Sequence, residues 1–171
     1  KKKSKVIKNK DFTIVWIGSP STSNYLKIIH KPLSILCNQH DIKLRLIGCG
    51  FLELEGIQFE SYMWNEDTEI KLISECHVGI MPLKNDNWSK GKCGFKLIQY
   101  MACAIPGIAS PIGVNNEIID NKTNGFLANN DDDWVNYVLK LKNDKNFYDN
   151  MSYQAYKKVF NNYSFDHQRK K

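Results

Sequence analysis

Short apolar runs closed by turn residues alternate along the chain with stretches of helical period. Phe12-Thr13-Ile14-Val15-Trp16-Ile17 is β-branched and aromatic and stops at Gly18-Ser19-Pro20, the pattern of a buried strand and a tight turn. From Ser23 to about Gln39, residues Tyr25, Leu26, Ile29, Leu33 and Leu36 recur at helical spacing, and Pro32 is expected to kink or split that helix. Ile42 to Ile47 reads as the next strand, ended by Gly48-Cys49-Gly50. Ile57 to Glu60 reads as a short strand running into the loop Ser61-Tyr62-Met63-Trp64. Asn65, followed by acids at positions 66, 67 and 69, predicts a capped helix to about Glu75, with its acids at the positive end of the dipole. His77 to Met81 follows as a core strand, residues 84–92 as a polar loop, and Phe95 to Cys103 as a helix. Pro106 to Ser110 is a further strand, Asn115 to Asp120 a short helix, and Asn124-Gly125 a turn. Two amphipathic helices, roughly 131–142 and 144–161, close the pattern. Ile57, Phe59, Ile80 and Met101 fall at core positions.

Strand and helix in near-strict alternation predict parallel βαβ units. The fold expected is α/β, a doubly wound parallel sheet of Rossmann-like type with helices on both faces. Ligands of such sheets bind beyond the C-terminal ends of the strands. The segments to inspect are therefore Gly18 to Thr22, Gly48 to Gly50, Tyr62 to Trp64, Leu83 to Phe95 and Ser110 to Asn115.

Length and charge narrow this picture. The 171 residues suit one domain with a real core. No apolar run reaches the roughly 20 residues of a membrane helix, and the basic start lacks the apolar stretch of a signal peptide. The chain does not begin with Met and is expected to be an excerpt of a longer protein. Its net charge of +6 is concentrated at the ends: residues 1–10 hold six lysines, and Arg169, Lys170 and Lys171 close the chain. Removing those nine from the 24 basic residues leaves 15 against 18 acidic ones at positions 11–166, a net of −3. A mildly acidic body argues against a nucleic-acid partner, and the basic ends are read as solvated linkers. The expected organisation is residues 1–10 as a basic linker or end and residues 11–165 as the folded domain.

Five cysteines (Cys37, Cys49, Cys76, Cys93, Cys103) are scattered without a CxxC, and four histidines show no ligand spacing. This suits a reducing cytoplasm and predicts neither a disulfide framework nor a metal site. Asp131-Asp132-Asp133 sits before an amphipathic helix, where acids serve the dipole. The turn Gly18-Ser19-Pro20-Ser21-Thr22 offers a glycine and hydroxyls that could hold a phosphate or simply cap a helix. It is neither a Walker loop nor a GxGxxG fingerprint.

The stretch from residue 80 to 128 is more specific. It runs Ile80-Met81-Pro82-Leu83, then Lys90-Gly91-Lys92-Cys93-Gly94-Phe95-Lys96-Leu97-Ile98-Gln99-Tyr100-Met101-Ala102. Pro106-Gly107-Ile108-Ala109-Ser110, Gly113-Val114-Asn115-Asn116-Glu117 and Asn124-Gly125-Phe126-Leu127 follow in order. This order resembles the donor-binding region of family 4-like glycosyltransferases of the GT-B type (glycosyl transferases group 1). It covers about residues 12 to 160. The resemblance implies the C-terminal, nucleotide-sugar-binding half of a two-domain enzyme whose N-terminal acceptor domain is absent here. It implies a UDP- or GDP-linked donor, a saccharide or lipid-linked acceptor, retention of configuration, and no metal or other cofactor. It also implies a cytoplasmic place, with peripheral association of the full-length enzyme at the inner face of the membrane. No catalytic residue is assigned to this half.

Elementary chemistry gives the matched residues plausible work. Gly91 and Gly94 let backbone approach a ligand, Gly94 and Phe95 open a helix toward a diphosphate, and Lys90, Lys92 and Lys96 balance phosphate charge. Lys90 and Lys92 are equally compatible with a solvated loop. Gly18, Ser19 and Ser21 belong to the first turn, and Tyr62 and Trp64 sit where the resembling folds hold the base, or else end a strand as core aromatics. The resembling enzymes carry a Glu-x7-Glu pair. Its second position is Gln99 here, which can still bond ribose hydroxyls, and its first is Gly91, so that carboxylate is missing. The arginine and lysine often present in the first loop are also missing; that loop has Ser and Thr, with Lys27 further on. Glu117 is either a local cap or a ribose ligand. The alternatives are a half-domain of a sugar-nucleotide epimerase, which would want acids and histidines in the cleft, and a non-catalytic flavodoxin-like nucleotide-binding module.

Overall fold

The computed structural model describes residues 7–163. Most of the two basic ends, with His167, lies outside the described residues. In chain order, strand β1 (Thr13–Ile17) is followed by helix α1 (Pro20–Ser23), a 3₁₀ turn (Asn24–Ile29) and α2 (His30–Gln39). Then come β2 (Lys43–Ile47), β3 (Glu60–Tyr62), α3 (Glu66–Ser74), β4 (Val78–Met81), α4 (Asn87–Lys90) and α5 (Phe95–Ala102). The rest is β5 (Gly107–Ala109), α6 (Asn115–Ile118), β6 (Gly125–Leu127), α7 (Asp131–Asn143) and α8 (Lys145–Tyr163). The six strands are all parallel in the order β3-β2-β1-β4-β5-β6. The chain winds outward from β1 in one direction, then returns past it through β4 in the other. That is the doubly wound Rossmann-like sheet the alternation predicts.

Alternation along β1 shows why the sheet needs cover on both faces. All five of its residues are buried. Ile14 and Trp16 join one core with Leu33 and Leu36 of α2 and Val138 of α7, while Val15 and Ile17 join another with Leu97 and Tyr100 of α5 and Ala155 of α8. Side chains of a strand alternate between faces, so two cores follow directly from this continuous apolar run. Ile57, Ile80 and Met101 are buried as expected, and Phe59 packs against the first core in part.

Four details differ from the sequence expectation. The strand expected at Ile57 to Glu60 lies at Glu60–Tyr62, and the expected loop residues Ser61 and Tyr62 belong to it. Its register is set by Arg45 opposite Glu60 and Ile47 opposite Tyr62, and all three residues are exposed, so no apolar pattern marks this edge strand. The polar loop 84–92 contains α4, capped by Asp86, whose carboxylate accepts from Ser89 N at 2.7 Å. The turn at Asn124-Gly125 leads into β6, a second short edge strand. Near the start of the described chain, Lys8 Nζ donates to Cys76 O at 2.6 Å and Asn9 N to Glu75 O at 2.8 Å. These two residues, read from charge as part of a solvated end, dock on the loop after α3. Burial lowers the Lys8 pKa to about 8.

The helix containing Pro32 is split rather than kinked. The 3₁₀ turn ends at Ile29, and Pro32 occupies the first turn of α2, where a missing N–H costs nothing. Among the described residues, no helix is long and apolar enough to cross a membrane.

Candidate functional site

β1 and β4 are neighbours at the point where the winding reverses, and a cleft of about 1250 Å³ opens beyond their C-terminal ends. Its walls come from the turn after β1, from Gly48 and Gly50 after β2, from β3 and the start of α3, and from the loop and first turns of α5. Four of the five segments that the sequence pattern marks for inspection contribute residues to this cleft.

The turn after β1 shapes the cleft more than it offers donors. Gly18 N donates to Ile47 O at 3.0 Å, and Ser19 N to the Thr22 hydroxyl at 3.3 Å. The hydroxyls of Ser19 and Ser21 lie 2.9 Å apart and bond each other. The turn is thus largely satisfied within itself. Glycine at position 18 is demanded by close approach: a Cβ there would lie 2.5 Å from the Trp16 ring and 2.9 Å from Lys96 Cε.

The start of α5 is built the opposite way. Gly94 is its N-cap in the left-handed region, with φ of 67°, and supplies no side-chain cap. A Cβ on Gly94 would meet Ile118 Cδ1 at 2.3 Å, so the capless start is fixed by backbone shape and packing. No acid occupies the first turn, and no protein acceptor among the described residues meets the N–H groups of Phe95 and Lys96. Those groups carry the positive end of the helix dipole.

Two lysines stand beside this bare helix end. Lys96 Nζ lies 5.6 Å from the centre of the Trp16 ring, and Lys92 Nζ lies 5.2 Å from Tyr25 and 5.7 Å from Trp88. Tyr25 is in turn tied to Ser89 by a hydroxyl pair at 3.2 Å, which fixes the platform under Lys92. Neither lysine forms an ion pair with a carboxylate among the described residues. Burial first, and the neighbouring Lys92 ammonium second, hold the Lys96 amine below the usual lysine range. Half-buried positive charge without a counter-charge is costly, and an anion placed here would relieve it.

The opposite wall carries aromatics and acids. The Tyr62 ring is covered by Arg45, whose guanidinium carbon lies 5.1 Å from the ring centre. Trp64 is 55% exposed at the cleft and donates from Nε1 to Glu69 Oε2 at 2.7 Å. Of the two aromatics, Trp64 has the freer face. Glu66 and Glu69 of α3 also line the cleft, and Gln99 Nε2 donates to Glu69 Oε1 at 3.3 Å across α5 and α3.

Among the residues singled out from sequence, Gly18, Ser19, Tyr62, Trp64, Gly91, Lys92, Gly94, Phe95, Lys96 and Gln99 line this cleft. Ser21 and Lys90 do not: Ser21 turns to Ser19, and Lys90 closes α4. Glu117 and Lys27 stand outside the lining, as does the loop Ser110 to Asn115. Glu66, Glu69 and Met63 were not singled out as site residues. The two acids carried a sequence signal, but it was spent on capping a helix. Asp131-Asp132-Asp133 forms the first turn of α7, where Asn130 accepts from Asp133 N at 2.9 Å and Asp133 accepts from Asn129 N at 2.8 Å. Among the described residues, no three His, Cys, Asp or Glu side chains converge as metal ligands.

Comparison with known proteins agrees with this architecture. A probable sucrose-phosphate synthase of Thermosipho melanesiensis is 32% identical over 73 residues, which is 43% of this chain and 16% of that protein. The structure of Anabaena Alr3699/HepE in complex with UDP-glucose superposes with a TM-score of 0.73 at 15% identity, covering 94% of this chain and 47% of that one. A TarM variant of S. aureus, in complex with fondaparinux, alpha-GlcNAc-glycerol and UDP, gives 0.72 at 17% identity, over 98% of this chain and 36% of that one. The chain thus spans half or less of the length of these relatives, and its Rossmann-like fold is the one found in GT-B glycosyltransferases. The family glycosyl transferases group 1 matches residues 1–158, and the chain belongs to it.

Proposed function

We propose that the cleft binds a nucleoside-diphosphate sugar, UDP- or GDP-linked, as the donor half of an enzyme that transfers the sugar with retention. The acceptor, a saccharide or lipid-linked saccharide, would be held by an N-terminal partner domain. The observation that carries this reading is the bare N-terminus of α5 with Lys92 and Lys96 beside it, neither ion-paired among the described residues. A diphosphate set there would accept from the Phe95 and Lys96 N–H groups and neutralise both ammonium groups. Negative charge grows on the same diphosphate as the bond to the sugar breaks, so these groups favour departure more than they favour ground-state binding. Proton uptake by Lys96 would accompany binding at alkaline pH, because a phosphate opposes both causes of its lowered pKa.

Support also comes from relatives with nucleotide in place: Anabaena HepE with UDP-glucose and S. aureus TarM with UDP share this fold. The epimerase alternative is less well served, since none of the described histidines lines the cleft. We place the parent enzyme in the cytoplasm, with its acceptor side at the inner face of the membrane. Calorimetric titration with UDP and with GDP tests the central claim. Saturable binding of one of them supports it, and a folded protein that binds neither overturns it.

A further inference from the structure

The cleft is electrically two-ended. Lys92 and Lys96 mark one end, and Glu66 and Glu69 the other, without an ion pair between them. Lys96 and Gln99 stand three residues apart on one face of α5, about 5–6 Å between their Cβ atoms, so the two ends are linked by one helical turn. A ligand that fits both must be anionic at one end and rich in hydroxyl donors at the other. Gln99 is the side chain on α5 facing the acidic end, and its amide nitrogen is already committed to Glu69.

Resting on the donor-site reading above, we propose that Glu69 supplies the carboxylate that receives the ribose 2′- and 3′-hydroxyls of the nucleotide. Three observations single it out. Its two oxygens are each held by an N–H from a different element, Trp64 Nε1 at 2.7 Å and Gln99 Nε2 at 3.3 Å, so the group is oriented before any ligand arrives. Each carboxylate oxygen still has a free lone-pair direction for a hydroxyl, because a carboxylate offers about four acceptor sites in all. And Glu69 is half-buried without a cation partner, whereas Glu66 is exposed and has no side-chain partner among the described residues.

Capping of α3 does not account for Glu69. Asn65 already accepts from Asp67 N at 2.8 Å, and Glu66 and Asp67 put two acids closer to the helix start. The Glu69 carboxylate instead bridges the Trp64 loop and α5. Gln99, which also lines the cleft, then acts as a positioning residue: its amide N–H holds Glu69. The charge missing from α5 is thereby provided from α3.

The test compares UDP, GDP and their 2′,3′-dideoxy forms by calorimetry against the wild-type chain, Glu69→Gln and Glu69→Ala, with thermal melting of each. Wild type should bind the ribose form about tenfold to hundredfold more tightly than the dideoxy form, the range of hydrogen bonds to a charged acceptor. Glu69→Ala should lose that preference while binding the dideoxy form as wild type does, and Glu69→Gln should keep part of it. A merely structural Glu69 would lower the melting temperature and leave the ribose preference intact, which overturns the proposal. Equal wild-type affinity for both forms overturns it as well. A wild-type chain that binds neither nucleotide overturns the donor-site reading itself, a distinct result.

Discussion

The two ends of the sheet handle charge in opposite ways. Toward the N-terminal ends of the strands, Arg45 donates to Glu60 Oε2 and Glu75 Oε2, both at 2.8 Å, and to Leu72 O at 3.0 Å. His77 stacks on Phe12 with ring centres 4.7 Å apart and accepts the Thr13 N–H at 3.1 Å, and Lys8 donates to Cys76 O. Every one of these groups is answered inside the protein. At the C-terminal ends, the first turn of α5 is bare, Lys92 and Lys96 have only ring faces, and Trp64 and Phe95 stand open to solvent. The same sheet is closed at one end and unfinished at the other. Polar groups left unanswered are costly, and their concentration at one rim is what the proposed ligand would relieve.

The strongest way to break this contrast is to unpair the closed end. Arg45→Met should destabilise the chain by about 3 kcal/mol in urea unfolding. It removes the donor for two carboxylates and a carbonyl while keeping an apolar stem of similar length. The partial exposure of Glu60 and Glu75 keeps the loss near the lower limit for a broken buried pair. Arg45 also covers the Tyr62 ring at the cleft, so nucleotide affinity reads the coupling of the two ends: a change within about twofold keeps them separate, and a larger loss joins them through Tyr62.

His77 sharpens the same point through pH. Burial, with a smaller push from Lys8, lowers its pKa to about 4 from 6.5. Between those values the unfolded chain takes up a proton that the folded chain refuses, so stability must fall as pH drops from about 6.5 to 4. Above 6.5 this contribution is flat. The ring is only partly buried, so about 1–2 kcal/mol is the expected loss across the window. His77→Asn keeps an acceptor for Thr13 and cannot titrate. Its urea stability measured from pH 7 to 4 should lose that part of the slope, and an unchanged slope would show that other groups carry it.

Legibility in the sequence followed the same division. β1, β2, β4 and β5 were readable because they are largely buried and therefore spelled in apolar residues. β3 and β6 sit at the two edges, where partners come from one side only and the code is weak. In the cleft, the Gly-Lys loop before α5 was readable because glycine and lysine there have few structural uses. Glu69 was not, since an acid near a helix start has an ordinary explanation in the dipole. Only the approach of α5, which brings the Gln99 amide to it, sets it apart from the other acids of that turn. Ser21 and Lys90 lie in the same loops without lining the cleft: Ser21 bonds Ser19, and Lys90 ends α4, neither of which the sequence pattern marks.

At the unfinished end the expected effects are smaller and have the opposite character. Lys96→Met should lower affinity for the nucleoside diphosphate by about tenfold, one charge-assisted contact. The melting temperature should stay level or rise slightly, because a half-buried ammonium without a counter-charge is removed and its stem over Trp16 is kept. A fall in melting temperature like that of Arg45→Met, with affinity unchanged, would erase the distinction between the ends.

The smallest effect tests whether the two ends meet through α3, which carries Glu69 at the cleft and ends at the cap residue Glu75 beside Arg45. Asn65→Ala removes the side chain that accepts from Asp67 N and should cost about 1 kcal/mol, the usual value of such a cap. If the Glu69 carboxylate is held mainly by Trp64 and Gln99, fraying of the first turn of α3 leaves it in place. Affinity for the ribose form then drops no more than about threefold, a change of roughly half a kcal/mol. A drop as large as that of Lys96→Met would show that the cap, rather than the bridge to α5, positions Glu69. The closed end would then reach into the open one along a single helix.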